Sequence, residues 1–265
     1  MPFIIHLTVR RFNYVRFDGI LGLAYHTISV NGIPPPFYEM MNQELIDEHV
    51  FSFRLGASES DGGELVFGGI DSSAYTGSIS YVPVRRKAYW EVELEKVGFG
   101  DDELELENTG AAIDTGLPPF TLYHRVSPNS YITGTSLIVM PTDIAEMLNT
   151  QIGAKKSWNG QYVVDCSKVP SLPDLSFYFD GKPYALKGSD YVLEVQGTCI
   201  SSFTPMDINL PGGSLWIVGM SFLNMYLELA VVNCMSIGDV FLRRYYTVYD
   251  HGRHVIGFAK SITYQ

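Results

Sequence analysis

The chain has 265 residues, enough to bury a sizeable core in one large or two ordinary domains. Its 18 Lys and Arg stand against 29 Asp and Glu, and the net charge of −11 argues against nucleic acid or an anionic membrane as partner, since both require basic surface. Abundant aromatics (17 Tyr, 15 Phe), with frequent Val, Ile and Thr between many Gly and Pro, point to a β-rich globular protein.

In chain order, Met1 to Val15 holds a brief apolar run, Pro2 to Leu7. No basic residues precede it and no small-residue cleavage site follows, so no signal peptide is read there. Phe17 to Tyr25 (FDGILGLAY) is an apolar, strand-like run punctuated by glycines. Pro34 to Glu48 reads as a turn and then a short amphipathic helix. Its Phe37, Met40, Met41 and Leu45 recur at helical spacing and are assigned to core packing. Val50 to Leu55 alternates like a strand. Gly62 to Ile70 is Gly-bounded and β-like, without the following helix and lysine that a phosphate loop needs.

Ser78 to Val84 carries the chain onward, and Tyr89 to Val97 (YWEVELEKV) alternates apolar and charged residues as a half-solvated antiparallel strand should. The acidic stretch Asp101 to Glu107 reads as a solvated hairpin tip, because no Asp-x-Asp-x-Asp-Gly frame is present to bind a metal. Pro141 to Leu148 (PTDIAEML) predicts a helix start with Thr142 as N-cap. Tyr162–Cys166, Asp174–Phe179, Tyr191–Val195, Trp216–Gly219 and Tyr246–Tyr249 complete a pattern of short strands, as in a β-sheet lobe.

Metal and cofactor chemistry is not signalled. The six histidines are scattered and assigned to surface or loop positions; His251 and His254 share a turn but lack a third ligand. Cys166, Cys199 and Cys234 fit no zinc spacing, and no Gly-x-Ser-x-Gly elbow occurs.

The chemistry centres on a broken loop. Ala111-Ala112-Ile113-Asp114-Thr115-Gly116 stops and resumes as Thr135-Ser136-Leu137-Ile138. Short apolar residues place the stretch at the end of a buried strand. Gly116 lets the backbone turn sharply beside the carboxylate, and the hydroxyls of Thr115, Thr135 and Ser136 can donate hydrogen bonds to Asp114. Such an arrangement holds a carboxylate for acid–base work on water. Asp-Thr-Gly alone is a common turn, so the specificity lies in its flanks.

With TSLI, WIVG and DVFLRRYYTVYDHGRHVIGFA downstream, and FDGILGLAY and GGELVFGGID upstream, the chain resembles the pepsin family of aspartic proteases, most closely its fungal vacuolar members. The resemblance runs from Arg16 to Ser261. It implies a mostly β, bilobal acid-protease fold, with 16–84 as a partial N-terminal lobe and 85–265 as the C-terminal lobe, residues 1–15 lying outside the pattern. It also implies an aspartic endopeptidase that hydrolyses peptide bonds in proteins at acidic pH through a carboxylate-activated water. Protein or peptide substrates, no cofactor, and a vacuolar or secreted location go with it.

On that resemblance Asp114 is the catalytic carboxylate, and Thr115 ties the two catalytic loops together. Gly116, Thr135 and Ser136 complete the support of the loop. Cys166 and Cys199 match the family's C-lobe disulfide, although from the residues alone a free buried pair is as acceptable.

Two stretches interrupt the family pattern. Removing Leu117–Gly134 restores AAIDTGTSLIVMP, and removing Met220–Gly238 restores WIVGDVFLRRYYTVYD, as expected of introns translated in frame. The second stretch with its flank could span a bilayer of about 30 Å, but Glu228, Asn224 and Asn233 make that costly, so no membrane role is expected.

No second Asp-Thr/Ser-Gly occurs, the flap hairpin that carries a Tyr over the cleft is missing, and Leu117 sits where a hydroxyl belongs. The missing N-lobe segments are supplied by no visible part of the chain. The expectation is therefore a protease by family whose isolated chain is inactive. The alternative is a non-catalytic pepsin-like module that binds peptides or partners.

Overall fold

The computed structural model describes residues 21–56, 61, 63–113, 138–158, 160–205, 207, 209–210, 213–218 and 239–264. Helix α1 (Pro36–Asn42) begins with proline at its first position, where a missing amide hydrogen costs nothing. It buries Phe37, with Met40 and Met41 packed alongside. Leu45 departs from the expected core assignment and is 66% exposed. The helix ends at Asn42 and Glu44 turns left-handed (φ 53°), which takes Leu45 off the helical stripe.

The strands follow as β1 (Val50–Arg54), β2 (Glu64–Phe67), β3 (Tyr75–Lys87), β4 (Trp90–Glu93), β5 (Lys96–Phe99), β6 (Asp102–Glu105), β7 (Gly110–Ala112) and β8 (Ile138–Met140). After helix α2 (Thr142–Gln151) come β9 (Lys155–Lys156), β10 (Tyr162–Val164), β11 (Leu175–Phe179) and β12 (Lys182–Leu186). The short helix α3 (Gly188–Tyr191) leads to β13 (Val192–Val195), β14 (Thr198–Ser201), β15 (Phe203–Pro205), β16 (Asn209–Leu210) and β17 (Gly213–Val218). Helix α4 (Asp239–Arg244), β18 (Tyr245–Asp250) and β19 (Val255–Ser261) close the described chain.

The architecture is mostly β, as the composition predicts. Eleven strands form one sheet in the order β15-β8-β17-β7-β4-β3-β19-β18-β1-β2, with β16 on β17. Two four-stranded sheets flank it, β13-β14-β10-β9 and β12-β11-β5-β6. In the large sheet β1 pairs with β18, and β3 pairs with β19, so residues 50–87 and the C-terminal strands share one hydrogen-bonded ladder. The expected lobe division at 84/85 falls inside β3.

Three further local readings change. Leu21–Tyr25, the described part of FDGILGLAY, is not a strand. It is held instead by the Trp90 indole N–H donating to Leu23 O at 2.9 Å and by the Tyr25 amide donating to Ala88 O at 3.1 Å.

The alternating run Tyr89–Val97 is two strands rather than one. β4 enters the large sheet between β3 and β7, while β5 pairs with β11 and β6 in another sheet. Leu94, fully buried, lies between them.

Thr142 is the first residue of α2 rather than its cap. Pro141 holds the cap position and has no side-chain oxygen. Asp207 accepts both the Thr142 amide and its hydroxyl at 2.9 Å. Those bonds hold the Asp207 carboxyl below the usual carboxylate range, the backbone amide contributing most.

The acidic stretch forms the expected solvated hairpin. β6 is exposed throughout, Gly100 takes the left-handed turn (φ 62°), and Lys96 pairs with Glu103 at 2.6 Å. Cys166 and Cys199 form a disulfide with a Cα–Cα distance of 5.3 Å. Both interrupting stretches, 117–134 and 220–238, lie outside the described residues, as does Cys234. Among the described residues no helix is long and apolar enough to cross a membrane.

Candidate active site

Asp114, Thr115, Gly116, Thr135 and Ser136 all lie outside the described residues; the frame on either side of them is defined. Strand β7 carries the chain to Asp114. Its Ala111 and Ala112, and Ile113 after them, are buried, and the Ile113 amide donates to Trp90 O at 2.8 Å. Both edges of β7 are paired, so its backbone is held on either side. β4 pairs with it antiparallel (Glu91 opposite Ala112) and β17 pairs with it parallel (Trp216 opposite Ala111).

On the far side of the loop, β8 starts two residues after Ser136 and pairs antiparallel with β17 (Ile217 opposite Val139). The Ile138 amide donates to Ser202 O at 2.7 Å. β17, the strand of the WIVG motif, is therefore the spacer between the strand that enters the loop and the strand that leaves it. Two strand spacings, about 10 Å, separate the two ends. The motifs that are far apart in sequence meet in one stretch of sheet.

The main electrostatic feature of this frame was not visible in the sequence pattern. Glu91 is only 1% exposed. Its carboxylate accepts Arg86 Nε at 2.7 Å and Nη2 at 2.8 Å, and Arg85 Nη1 at 3.2 Å. Arg85 also pairs with Glu93 at 2.6 Å. The fork of Arg86 on one carboxylate is a bidentate geometry that fixes orientation as well as charge.

The same carboxylate lies over Gly110. A Cβ there would stand 2.1 Å from Glu91 Oε1, so any larger residue at the start of the strand that leads to Asp114 must displace that ion-paired carboxylate. The sequence signal, in retrospect, was the Arg85-Arg86 pair a few residues upstream: with β3 and β4 adjacent, both cations reach Glu91.

Among the described residues, no group of three or more His, Cys, Asp or Glu side chains is placed to hold a metal ion. Of the residues read as sites from the sequence, the structure brings Cys166 and Cys199 together, between the start of the 166–171 turn and β14.

Comparison with known proteins agrees with the motif reading. The sequence model of the family described as eukaryotic aspartyl protease matches residues 5–232, a range that includes Asp114. A probable vacuolar protease A of Arthroderma benhamiae is 48% identical over 252 residues, which cover 94% of this chain and 54% of the relative. The vacuolar aspartic protease of Candida albicans is 47% identical over 253 residues, covering 94% and 52%. A cathepsin D of Clupea harengus is 40% identical over 254 residues, covering 93% and 54%. The chain spans about half the length of the curated relatives it matches.

Proposed function

The chain belongs to the eukaryotic aspartyl protease family, and on that premise we propose that it carries one of the two catalytic carboxylates of an acid endopeptidase, Asp114. The observation that supports the reading most is the β7-β17-β8 arrangement, in which the strand entering the Asp-Thr-Gly loop and the strand leaving it flank the WIVG strand.

The chemistry then requires two groups. A lone carboxylate can take a proton from water as base, but it cannot in the same state protonate the leaving amine. Two carboxylates close together cannot both ionise, so they share one proton and divide the roles of base and acid. Water adds to the peptide carbonyl as one carboxylate accepts its proton and the other donates to the carbonyl oxygen. Collapse of the tetrahedral species breaks the C–N bond and returns a proton to the nitrogen. Thr115, Gly116, Thr135 and Ser136 hold Asp114 for this task.

This polypeptide contains a single Asp-Thr-Gly, so by itself it lacks the second carboxylate and does not cleave peptides. On this reading residues 16–84 belong to a partial first lobe and 85–265 to the second, with β3 running across the division. The named relatives support proteins as substrates and the vacuole as location. Capture on an immobilised pepstatin-like transition-state analogue tests the reading. A complete dyad is retained on the resin, whereas this chain is expected to pass through. Retention that Asp114→Ala abolishes would show a working dyad within the chain and overturn the inactivity. Retention that survives Asp114→Ala would favour a non-catalytic binding module.

A further inference from the structure

The turn between β18 and β19 holds His251, as the loop reading of that histidine expects, and packs its ring among aromatic side chains. The His251 ring stands edge-on to Tyr38, with ring centroids 4.7 Å apart, and lies 5.2 Å from Tyr25 and 6.4 Å from Trp90. Its amide donates to His49 O at 2.9 Å. The Nε2 atom is buried and, among the described residues, has no hydrogen-bond partner. The three rings come from the segment before α1, from α1 itself and from β4, so a single imidazole joins parts of the chain far apart in sequence.

We propose that His251 is an acid-operated latch: neutral, its ring closes an aromatic cage that ties residues 25–38 to the β18–β19 turn, and protonation at Nε2 opens that cage. The charged imidazole donates at both nitrogens. Inside the cage Nε2 has no acceptor, so the cation either stays unsatisfied or moves out to water.

The groups facing the ring oppose the charge on balance. Burial pushes the imidazole down from its ordinary 6.5 to about 4, and His254, His49 and Lys87 add repulsion. Asp250 acts in the opposite sense, but its carboxylate is engaged by Arg253 Nε at 2.6 Å. Tyr25, whose hydroxyl meets His254 Nδ1 at 3.3 Å, has its phenol pushed up mainly by burial and stays neutral in acid, so it offers no counter-charge.

The sign follows from the depressed value. Above pH 6.5 the ring is neutral whether the cage is open or closed. Between 6.5 and about 4 the open form takes the proton first, so closure weakens as pH falls, and the loss is complete below about 4. Closure is therefore strongest above pH 6.5 and weakest below about 4.

The Trp90 indole N–H, bonded to Leu23 O beside the cage, reports opening by hydrogen exchange measured by NMR. With exchange corrected for its intrinsic pH dependence, protection of that proton is expected to fall about a hundredfold between pH 6.5 and 4. The fall should track the His251 imidazole titration recorded on the same sample. His251→Phe keeps the ring without the charge and should abolish the fall, while His254→Asn should retain it. The same fall in His251→Phe overturns the proposal. Should that variant not fold, the wild-type chain decides alone: coincident midpoints for His251 titration and loss of protection support the latch, and unchanged protection while His251 titrates refutes it.

Discussion

At Glu91 the protein places a carboxylate out of water between two guanidinium groups, one strand away from the strand that runs into Asp114. Replacing it with Ala leaves Arg85 and Arg86 facing a space shaped for an anion. Breaking a buried pair in this way typically costs several kcal/mol, and because Arg86 is partly exposed we expect a loss of about 3 kcal/mol in urea unfolding. Gly110→Ala acts on the same contact from the other side, since its Cβ collides with the Glu91 carboxylate. It should destabilise the wild-type chain more than it does the Glu91→Ala variant, a coupling that a double-mutant cycle measures.

The Cys166–Cys199 disulfide closes a sequence separation of 33 residues. Loop-closure entropy of that length predicts that reduction removes about 3–4 kcal/mol, read as a lower denaturant midpoint. The two kinds of contact differed in legibility. The disulfide was readable by resemblance, because cysteine positions are sparse and distinctive. Glu91 was not, because alternation in YWEVELEKV assigns it to a solvated face and nothing local announces that β3 and β7 will cover both sides.

Elements were read best where punctuation was strong. Pro36 at the start of α1 and the glycines around β2 gave element type and approximate position directly. Reading failed where a partner distant in sequence decides the outcome. Asp207 caps α2 from 65 residues away, and a helix-start pattern offers no way to see it. Asp207→Ala should therefore fray the first turn of α2, detected as faster exchange of the amides at 142–145, while leaving the sheets intact.

The split of Tyr89–Val97 has the same origin, because its halves join different sheets. For the interrupting stretch 117–134, the element geometry makes a direct prediction. The end of β7 and the start of β8 are about 10 Å apart across β17. At about 3.3 Å per residue, the joined sequence Asp114-Thr115-Gly116-Thr135-Ser136-Leu137 spans that gap with room to turn. A chain lacking 117–134 should keep the same near-UV circular dichroism and cooperative unfolding. Loss of cooperative unfolding would show that the stretch belongs to the fold. Transcript reads that omit both stretches would support their origin as retained introns, and uniform coverage through them would remove it.

At the scale of the whole molecule, the β-rich class and the family were legible from composition and motif. The single ladder joining residues 50–87 to 245–261 was not, because strand pairing over such separations leaves no local trace. Between residues 21 and 45 the large apolar side chains Leu21, Val30, Ile33 and Leu45 are exposed, so this segment gives the core little beyond Tyr25, Phe37 and their neighbours.

The central claim concerns Asp114 as half of a shared catalytic pair. Cleavage of a fluorogenic peptide at acidic pH tests it most directly, measured for this chain alone and for the chain refolded with the upstream half of a vacuolar protease A, each beside its Asp114→Ala counterpart. The account predicts no cleavage by the chain alone, and cleavage by the combination that disappears with Asp114→Ala. Cleavage by the chain alone that depends on Asp114, or activity of the combination that Asp114→Ala leaves unchanged, would contradict it.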